Sequence, residues 1–241
     1  MFFRSLFLRE FSLIKKRPTF YLAALGSLSA LSYVMMLVFH FPILPAYGFL
    51  KVDFADVGVA VAVVVLGPIS AVIVAAAKCL LYLPIDIGET GGVGLLSNFI
   101  CSFFFTATIA VVFHLRTLSR QTTPKRDAVF LIAAFVAGVI VETIAAMLSN
   151  WFIVIPLFIQ VLGEGYRSVQ NAAYIFAGVL PFNLIKFSMQ AAAAYLLCHA
   201  LVRILPKVIK DFAPPPERAV SNEPEASRPP ENPHAPDGSR N

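Results

Sequence analysis

An apolar run from about 20 to 41 opens the hydrophobic part of this chain. Five more follow, at about 53–66, on from Pro68 to about 84, and at about 95–113, 128–156 and 173–203. No other feature narrows the fold as much. Lipid offers no water to satisfy backbone N–H and C=O groups, and each unpaired group costs several kcal/mol there, so such runs must close their hydrogen bonds internally as helices. The soluble alternative, a large buried core, would need polar helix faces that these runs lack. Composition agrees: 58% of residues are hydrophobic and 14% charged, with a mean hydropathy of +0.77, against about half and about a quarter in a soluble domain. The expected fold is all-α: a polytopic membrane protein with a six-helix transmembrane bundle.

The punctuation between the runs gives the organisation. Residues 1–17 carry Phe3, Phe7, Phe11 and Ile14 at helical spacing with Arg4, Arg9, Lys15 and Lys16 between them, which predicts an amphipathic segment lying on the membrane surface. Residues 18–210 form the transmembrane domain. Residues 42–52, with two prolines and a glycine, predict a loop. The second and third runs are each short for a hydrocarbon core of roughly 30 Å. Two short spans joined by a tight turn at Gly67-Pro68 is the preferred reading, and one kinked helix is the alternative. Residues 86–94 (DIGETGGVG) read as a flexible acidic loop, and 157–172 as a loop of mixed polarity. The fifth run is long enough to end in an irregular segment around Pro156. The tail, 211–241, is proline-rich without apolar period and is expected to be disordered.

The net charge of +5 belongs to topology and not to nucleic acid, because the cations sit beside hydrophobic spans. Arg4, Arg9, Lys15, Lys16 and Arg17 precede the first span. Arg116, Arg120, Lys125 and Arg126 lie between the fourth and fifth, and Arg203, Lys207 and Lys210 follow the last. The opposite side has Lys51 and Arg167 beside Asp53, Asp56, Asp86, Glu89 and Glu164. Short cytoplasmic loops carry the Lys/Arg excess, so both termini are expected in the cytoplasm.

Ionisable residues at membrane depth suggest function by default; here they are Lys78, Glu142 and Lys186, with the amides Asn98, Asn150 and Asn183. Pro181 cannot donate to the carbonyl of Ala177, which loosens the sixth span. Asn183 and Lys186, three residues apart, share a helix face and could bind a polar or carbonyl-bearing ligand. They could equally form a polar staple, with Lys186 paired to Glu142 or snorkelling. Asp53 and Asp56 suit a helix N-terminus, and capping is favoured for them over ligand contact. Lys78 calls for a carboxylate partner inside the bundle. Ala23/Ser27 and Gly26/Ala30 on the first span form a small-xxx-small pattern that permits close approach of a helix. Cys79, Cys101 and Cys198 lie in apolar stretches without metal spacing and read as small buried hydrophobes. There is no phosphate loop, no H-E-x-x-H site and no G-x-S-x-G elbow, so neither ATP hydrolysis nor another enzymatic reading is supported.

Several of these segments together resemble one family: FPILPAYGFLKVDFADV (41–57), Gly67-Pro68 followed by Lys78 and Leu80-Leu81, Gly91-Gly92 leading to Asn98-Phe99, Asn150 with Pro156, and PFNLIK (181–186). They are similar to the riboflavin-specific substrate-binding (S) components of energy-coupling factor (ECF) transporters, over about residues 20–205. The resemblance implies a six-helix bundle that binds riboflavin in its extracytoplasmic half as a transported ligand and not as a cofactor. Asn150, Asn183 and Lys186 would hydrogen-bond the isoalloxazine edge or the ribityl hydroxyls, and Asn98 would flank the site. Ala46, Tyr47, Phe49 and Leu50 would cap it. Ala23, Gly26, Ser27 and Ala30 would meet a transmembrane coupling subunit, which works with two ATPase subunits in a prokaryotic cell membrane. The rivals are an S component for another vitamin or a flavin nucleotide, and a membrane scaffold protein without a ligand.

Overall fold

The computed structural model describes residues 18–45, 47–118 and 124–211, without the side chains of 116–127 and 202–211. The surface segment expected at 1–17, the tail beyond 211 and Ala46 of the cap lie outside the described residues. Residues 1–203 form one unit and 204–241 a second, of which the described part is the end of the last helix.

The chain is a helical bundle. Helix α1 spans Pro18–Val38; strands β1 (Phe41–Pro42) and β2 (Lys51–Val52) follow, then α2 (Asp56–Val65), α3 (Pro68–Thr90), α4 (Val93–Leu118) and α5 (Pro124–Ser149). A π-helical segment, Asn150–Val154, leads into α6 (Ile155–Leu162), and a 3-10 turn (Glu164–Val169) leads to α7 (Ala172–Tyr174). A second π-helical segment, Ile175–Val179, joins α7 to α8 (Leu180–Asp211). Five helical stretches are long and apolar enough to cross a membrane: Pro18–Val38, Pro68–Thr90, Val93–Leu115, Ala128–Leu162 and Ala172–Leu201.

Helix α2 explains how ten residues suffice in a membrane domain. Every residue from Val57 to Val64 is buried, against Val74, Phe105, Ile109, Leu131, Phe135 and Ala194 of its neighbours. A helix apolar all round belongs in the middle of a protein, and about 15 Å of helix at 1.5 Å per residue is enough where protein and not lipid surrounds it. The outer faces of the longer helices are exposed and apolar, as at Leu22, Leu80, Val111, Val129 and Leu196, which suits lipid contact. The cysteines Cys79, Cys101 and Cys198 are all buried.

The preferred Gly-Pro turn is what joins α2 to α3. Gly67 takes φ 141°, open to glycine and strained for other residues, and Pro68 occupies the first turn of α3, where its missing N–H is harmless. Elsewhere the structure corrects the sequence reading. Residues 42–52 are not wholly loop, because Phe41 and Pro42 pair antiparallel with Val52 and Lys51. The flexible acidic loop at 86–94 is a helix as far as Thr90, and only Gly91 (φ 65°) and Gly92 (φ 86°) make the turn. Pro84 stands inside that helix but removes a single backbone donor, which the remaining ladder tolerates here. Likewise 157–162 is helical and the following turn 3-10, so the loop expected over 157–172 is shorter than the sequence suggests.

Both π segments sit just ahead of a proline. The N–H of Ile155 reaches Asn150 O and that of Leu180 reaches Ile175 O; Pro156 and Pro181 come next. A proline cannot donate to the carbonyl four residues back, and the slack is taken up as one wide turn in each case. The irregularity expected around Pro156 and the loosening expected at Pro181 are these two turns.

Candidate functional site

A cavity of about 260 Å³ lies at one end of the bundle. Its lining comes from four parts of the chain: 36–53, 86–101, 150–158 and 182–187. The two wide turns bring Asn150 and Asn183 into it, and both amides are tied back to their own helices. Asn150 Nδ2 donates to Ala146 O at 2.8 Å and Asn183 Nδ2 to Val179 O at 2.8 Å. Their nitrogens are thus occupied, which leaves the carbonyl oxygens as acceptors for the cavity. Asn98 is oriented the opposite way, its Oδ1 accepting from Lys78 at 3.4 Å, so its amide nitrogen remains to donate. With the ammonium of Lys186, the wall offers fixed acceptors and fixed donors side by side.

Two buried ion pairs stand by the cavity, the first of them in its wall. Lys186 Nζ meets Asp53 Oδ2 at 2.8 Å, and Lys78 Nζ meets Asp56 Oδ1 at 2.5 Å. Asp53 Oδ1 also accepts from the backbone N–H of Ala55 (2.9 Å) and from Gln190 Nε2 (3.3 Å), while Gln190 donates to the Asp53 carbonyl at 2.9 Å. Asp56 Oδ1 further accepts from Ser102, whose hydroxyl also meets Lys78 at 3.0 Å. All four charged residues are buried. In such surroundings a charge is tolerated only with a partner of opposite sign and additional hydrogen bonds.

These pairs settle two readings left open by the sequence. Lys186 is paired to Asp53 and not to Glu142, and the carboxylate expected for Lys78 is Asp56. Capping is not the principal task of either aspartate: the residue capping α2 is Ala55, without a side-chain cap, because each carboxylate is drawn to a lysine. Glu142 is buried with its Oε1 lacking a partner.

The segment between the strands covers the cavity with aromatic rings. Phe49 and Leu50 line it. Tyr47 packs on Tyr174 with ring centres 5.0 Å apart, and Phe49 on Phe158 and Tyr166 at 5.9 and 5.8 Å. Tyr47 does not line the cavity. It rests where a Cβ on Gly178 would come within 2.9 Å of its ring, so that glycine is what lets the cover lie close to the second wide turn. The edge is pinned by Lys51 Nζ to Glu89 Oε2 at 2.6 Å.

Of the residues singled out beforehand, Asn98, Asn150, Asn183, Lys186, Phe49 and Leu50 line one cavity, Tyr47 buttresses its cover, and Ala46 lies outside the described residues. Ala23, Gly26, Ser27 and Ala30 lie apart from it, exposed on α1, and a Cβ on Gly26 would meet nothing within 4 Å. The sequence reading missed Met36, His40, Asp86, Thr90, Gly94, Phe158 and Phe182. Asp86 and Thr90 stand four residues apart, the one local sign that they share a face of α3, and Gly94 meets them from α4 across the Gly91-Gly92 turn.

A family model described as "ECF transporter, substrate-specific component" matches residues 20–198. The chain is 30% identical over 202 residues to "Riboflavin transporter RibU" of Streptococcus thermophilus, covering 83% of this chain and 90% of the relative. It is 32% identical over 171 residues to "Riboflavin transporter FmnP" of Bacillus subtilis, covering 68% and 83%. A solved structure described as "Structure and mechanism of the S component of a bacterial ECF transporter" superposes with a TM-score of 0.60 at 26% identity, over 80% of this chain and 99% of that one.

Proposed function

The chain belongs to the family of substrate-specific components of energy-coupling factor transporters, and on that premise we propose that it is the riboflavin-capturing subunit of a vitamin importer. One observation carries the reading. Asn98, Asn150, Asn183 and Lys186, from three separate helices, converge on a single cavity under an aromatic cover. A flavin ring is flat and largely apolar, with carbonyls, ring nitrogens and an imide N–H along one edge. Apolar walls with a few convergent donors and acceptors are what such a ligand needs. Ligands lacking the edge would strand these groups, at about 1–3 kcal/mol each, which gives the site its selectivity. The reading is tested by titrating the purified protein with riboflavin and following the quenching of flavin fluorescence.

In this reading the protein crosses the plasma membrane of a prokaryotic cell six times, with α2 as the short, protein-enclosed span and both termini in the cytoplasm. The Lys/Arg asymmetry supports that orientation. Successive crossings then bring every wall of the cavity to the outer half, where the vitamin arrives. A cysteine placed at Gly163 is expected to react with an impermeant reagent in intact cells, and one at Thr122 is not. The reverse pattern would overturn the orientation.

Delivery inward requires a transmembrane coupling subunit and two ATPase subunits, as the chain has no phosphate loop. We assign the contact with the coupling subunit to Ala23, Gly26, Ser27 and Ala30, because small exposed residues permit close helix approach. Replacing Ala23 or Gly26 with leucine is expected to abolish most uptake while leaving flavin affinity within about twofold, since the face and the cavity are separate. Joint loss of affinity and uptake would place that face in the bundle's own packing.

A further inference from the structure

One charged side chain of the cavity, Asp86, stands without an ion-pair partner among the described residues. Asp86 is 96% buried, at 4% relative exposure, and lines the cavity on α3. Among the described residues its hydrogen bond comes from a neighbour on its own helix: Thr90 Oγ1 donates to Asp86 Oδ2 at 2.5 Å. Thr90 Oγ1 in turn accepts from Gly94 N at 3.0 Å. Asp53 and Asp56 each have a lysine, and Glu89 has Lys51; among the described residues no cation pairs with Asp86. Gly94 is bare beside it. A Cβ there would meet Asp86 Oδ1 at 3.2 Å and Thr90 Oγ1 at 2.9 Å, so the glycine keeps open the space against the carboxylate.

An ionised carboxylate only accepts hydrogen bonds. A buried one without a cation calls for a ligand that brings donors. Two parts of a flavin could do so, the imide of the ring and the hydroxyls of the ribityl chain. The surroundings favour the hydroxyls. Asp86 and Thr90 are hydrogen-bonded on the last turn of α3, where the adjacent Glu89 holds the partly exposed Lys51, and all four line the cavity. Phe182 and Phe187 flank Asn183 and Lys186 on α8 and line the same cavity, which suits the ring.

We propose that Asp86, positioned by Thr90 and given room by Gly94, accepts hydrogen bonds from the ribityl hydroxyls and makes the site select the unphosphorylated vitamin. This rests on the riboflavin reading above. The same carboxylate opposes a phosphate at the end of that chain. The nearby cation, Lys51, is already held by Glu89. His40, whose pKa is pushed down by its burial and then by Lys51, carries no charge at neutral pH to offset the repulsion.

The test compares three ligands on the purified full chain by fluorescence quenching: riboflavin, flavin mononucleotide, and lumichrome, which keeps the ring and lacks the ribityl chain. In Asp86→Asn, riboflavin should bind about tenfold or more weakly, lumichrome within about twofold of the parent, and the preference for riboflavin over the mononucleotide should shrink. Unchanged riboflavin affinity would overturn the proposal, as would an equal loss for lumichrome, which would move the contact to the ring imide or to the fold. Should Asp86→Asn not be recovered folded, Gly94→Ala crowds the same carboxylate and is held to the same three readings. Failure of the parent protein to bind riboflavin at all is a separate outcome and would sink the riboflavin reading itself.

Discussion

Lys78→Met is expected to destabilise the bundle by about 3–5 kcal/mol, the usual consequence of removing one partner of a buried ion pair. Lys78 is fully buried and Asp56 is 1% exposed. The ammonium also holds Ser102 and, at longer range, Asn98. With the lysine gone, the Asp56 carboxylate keeps only the Ser102 hydroxyl, and its Oδ2 already lacks a partner. A domain whose whole stability is about 5–15 kcal/mol would be left marginal, so thermal unfolding in detergent should shift far down. Neutralising both members, as Lys78→Met with Asp56→Leu, should recover most of the loss because no charge is then stranded. A single variant as stable as the parent would show that the pair is not what holds α2 to α3.

The second large effect concerns the ligand. Asn183→Ala removes an acceptor from the cavity wall and should weaken riboflavin binding by about 1–3 kcal/mol, roughly 5- to 150-fold in Kd. Lys186→Met keeps the aliphatic stem and removes the donors, so affinity should fall comparably. It also leaves Asp53 without its cation, and folding should suffer alongside. The geometry says which second change restores it. Asp53 lies 2.8 Å from Lys186, whereas among the described residues no hydrogen bond or ion pair joins Lys186 to Glu142. Asp53→Asn in the Lys186→Met background should therefore rescue expression without rescuing affinity, and neutralising Glu142 should do neither. Rescue through Glu142 would mean the ion pairs are wrongly drawn.

The sequence made some of this legible and hid the rest, for physical reasons. Apolar runs report lipid and core contact directly, so the helical class and the Gly67-Pro68 turn could be read from local pattern. The two prolines announced helix irregularities because a missing N–H acts on its own turn. Ion pairing was another matter. Lys186 and Asp53 meet through the packing of α8 against the segment ahead of α2, and no periodicity encodes that meeting. An aspartate near a helix start looks like a cap whether or not a lysine waits across the bundle. Asp86 was concealed by its setting: in DIGETGG the glycines advertise a turn, yet the chain stays helical until Gly91. Once the helix is known to run that far, the four-residue spacing of Asp86 and Thr90 becomes meaningful, and Gly94 is seen to meet them from the start of α4.

The central claim is that this chain alone binds riboflavin in the cavity shared by Asn98, Asn150, Asn183 and Lys186. Its most direct test is a fluorescence titration of riboflavin into the purified, detergent-solubilised protein at neutral pH, run in parallel on Asn183→Ala. The parent protein should quench the flavin to saturation at one ligand per chain, and the folded variant should show a Kd at least about fivefold higher. Equal affinity in the two proteins would remove the site from this cavity, and no saturable quenching by the well-folded parent would contradict the account altogether.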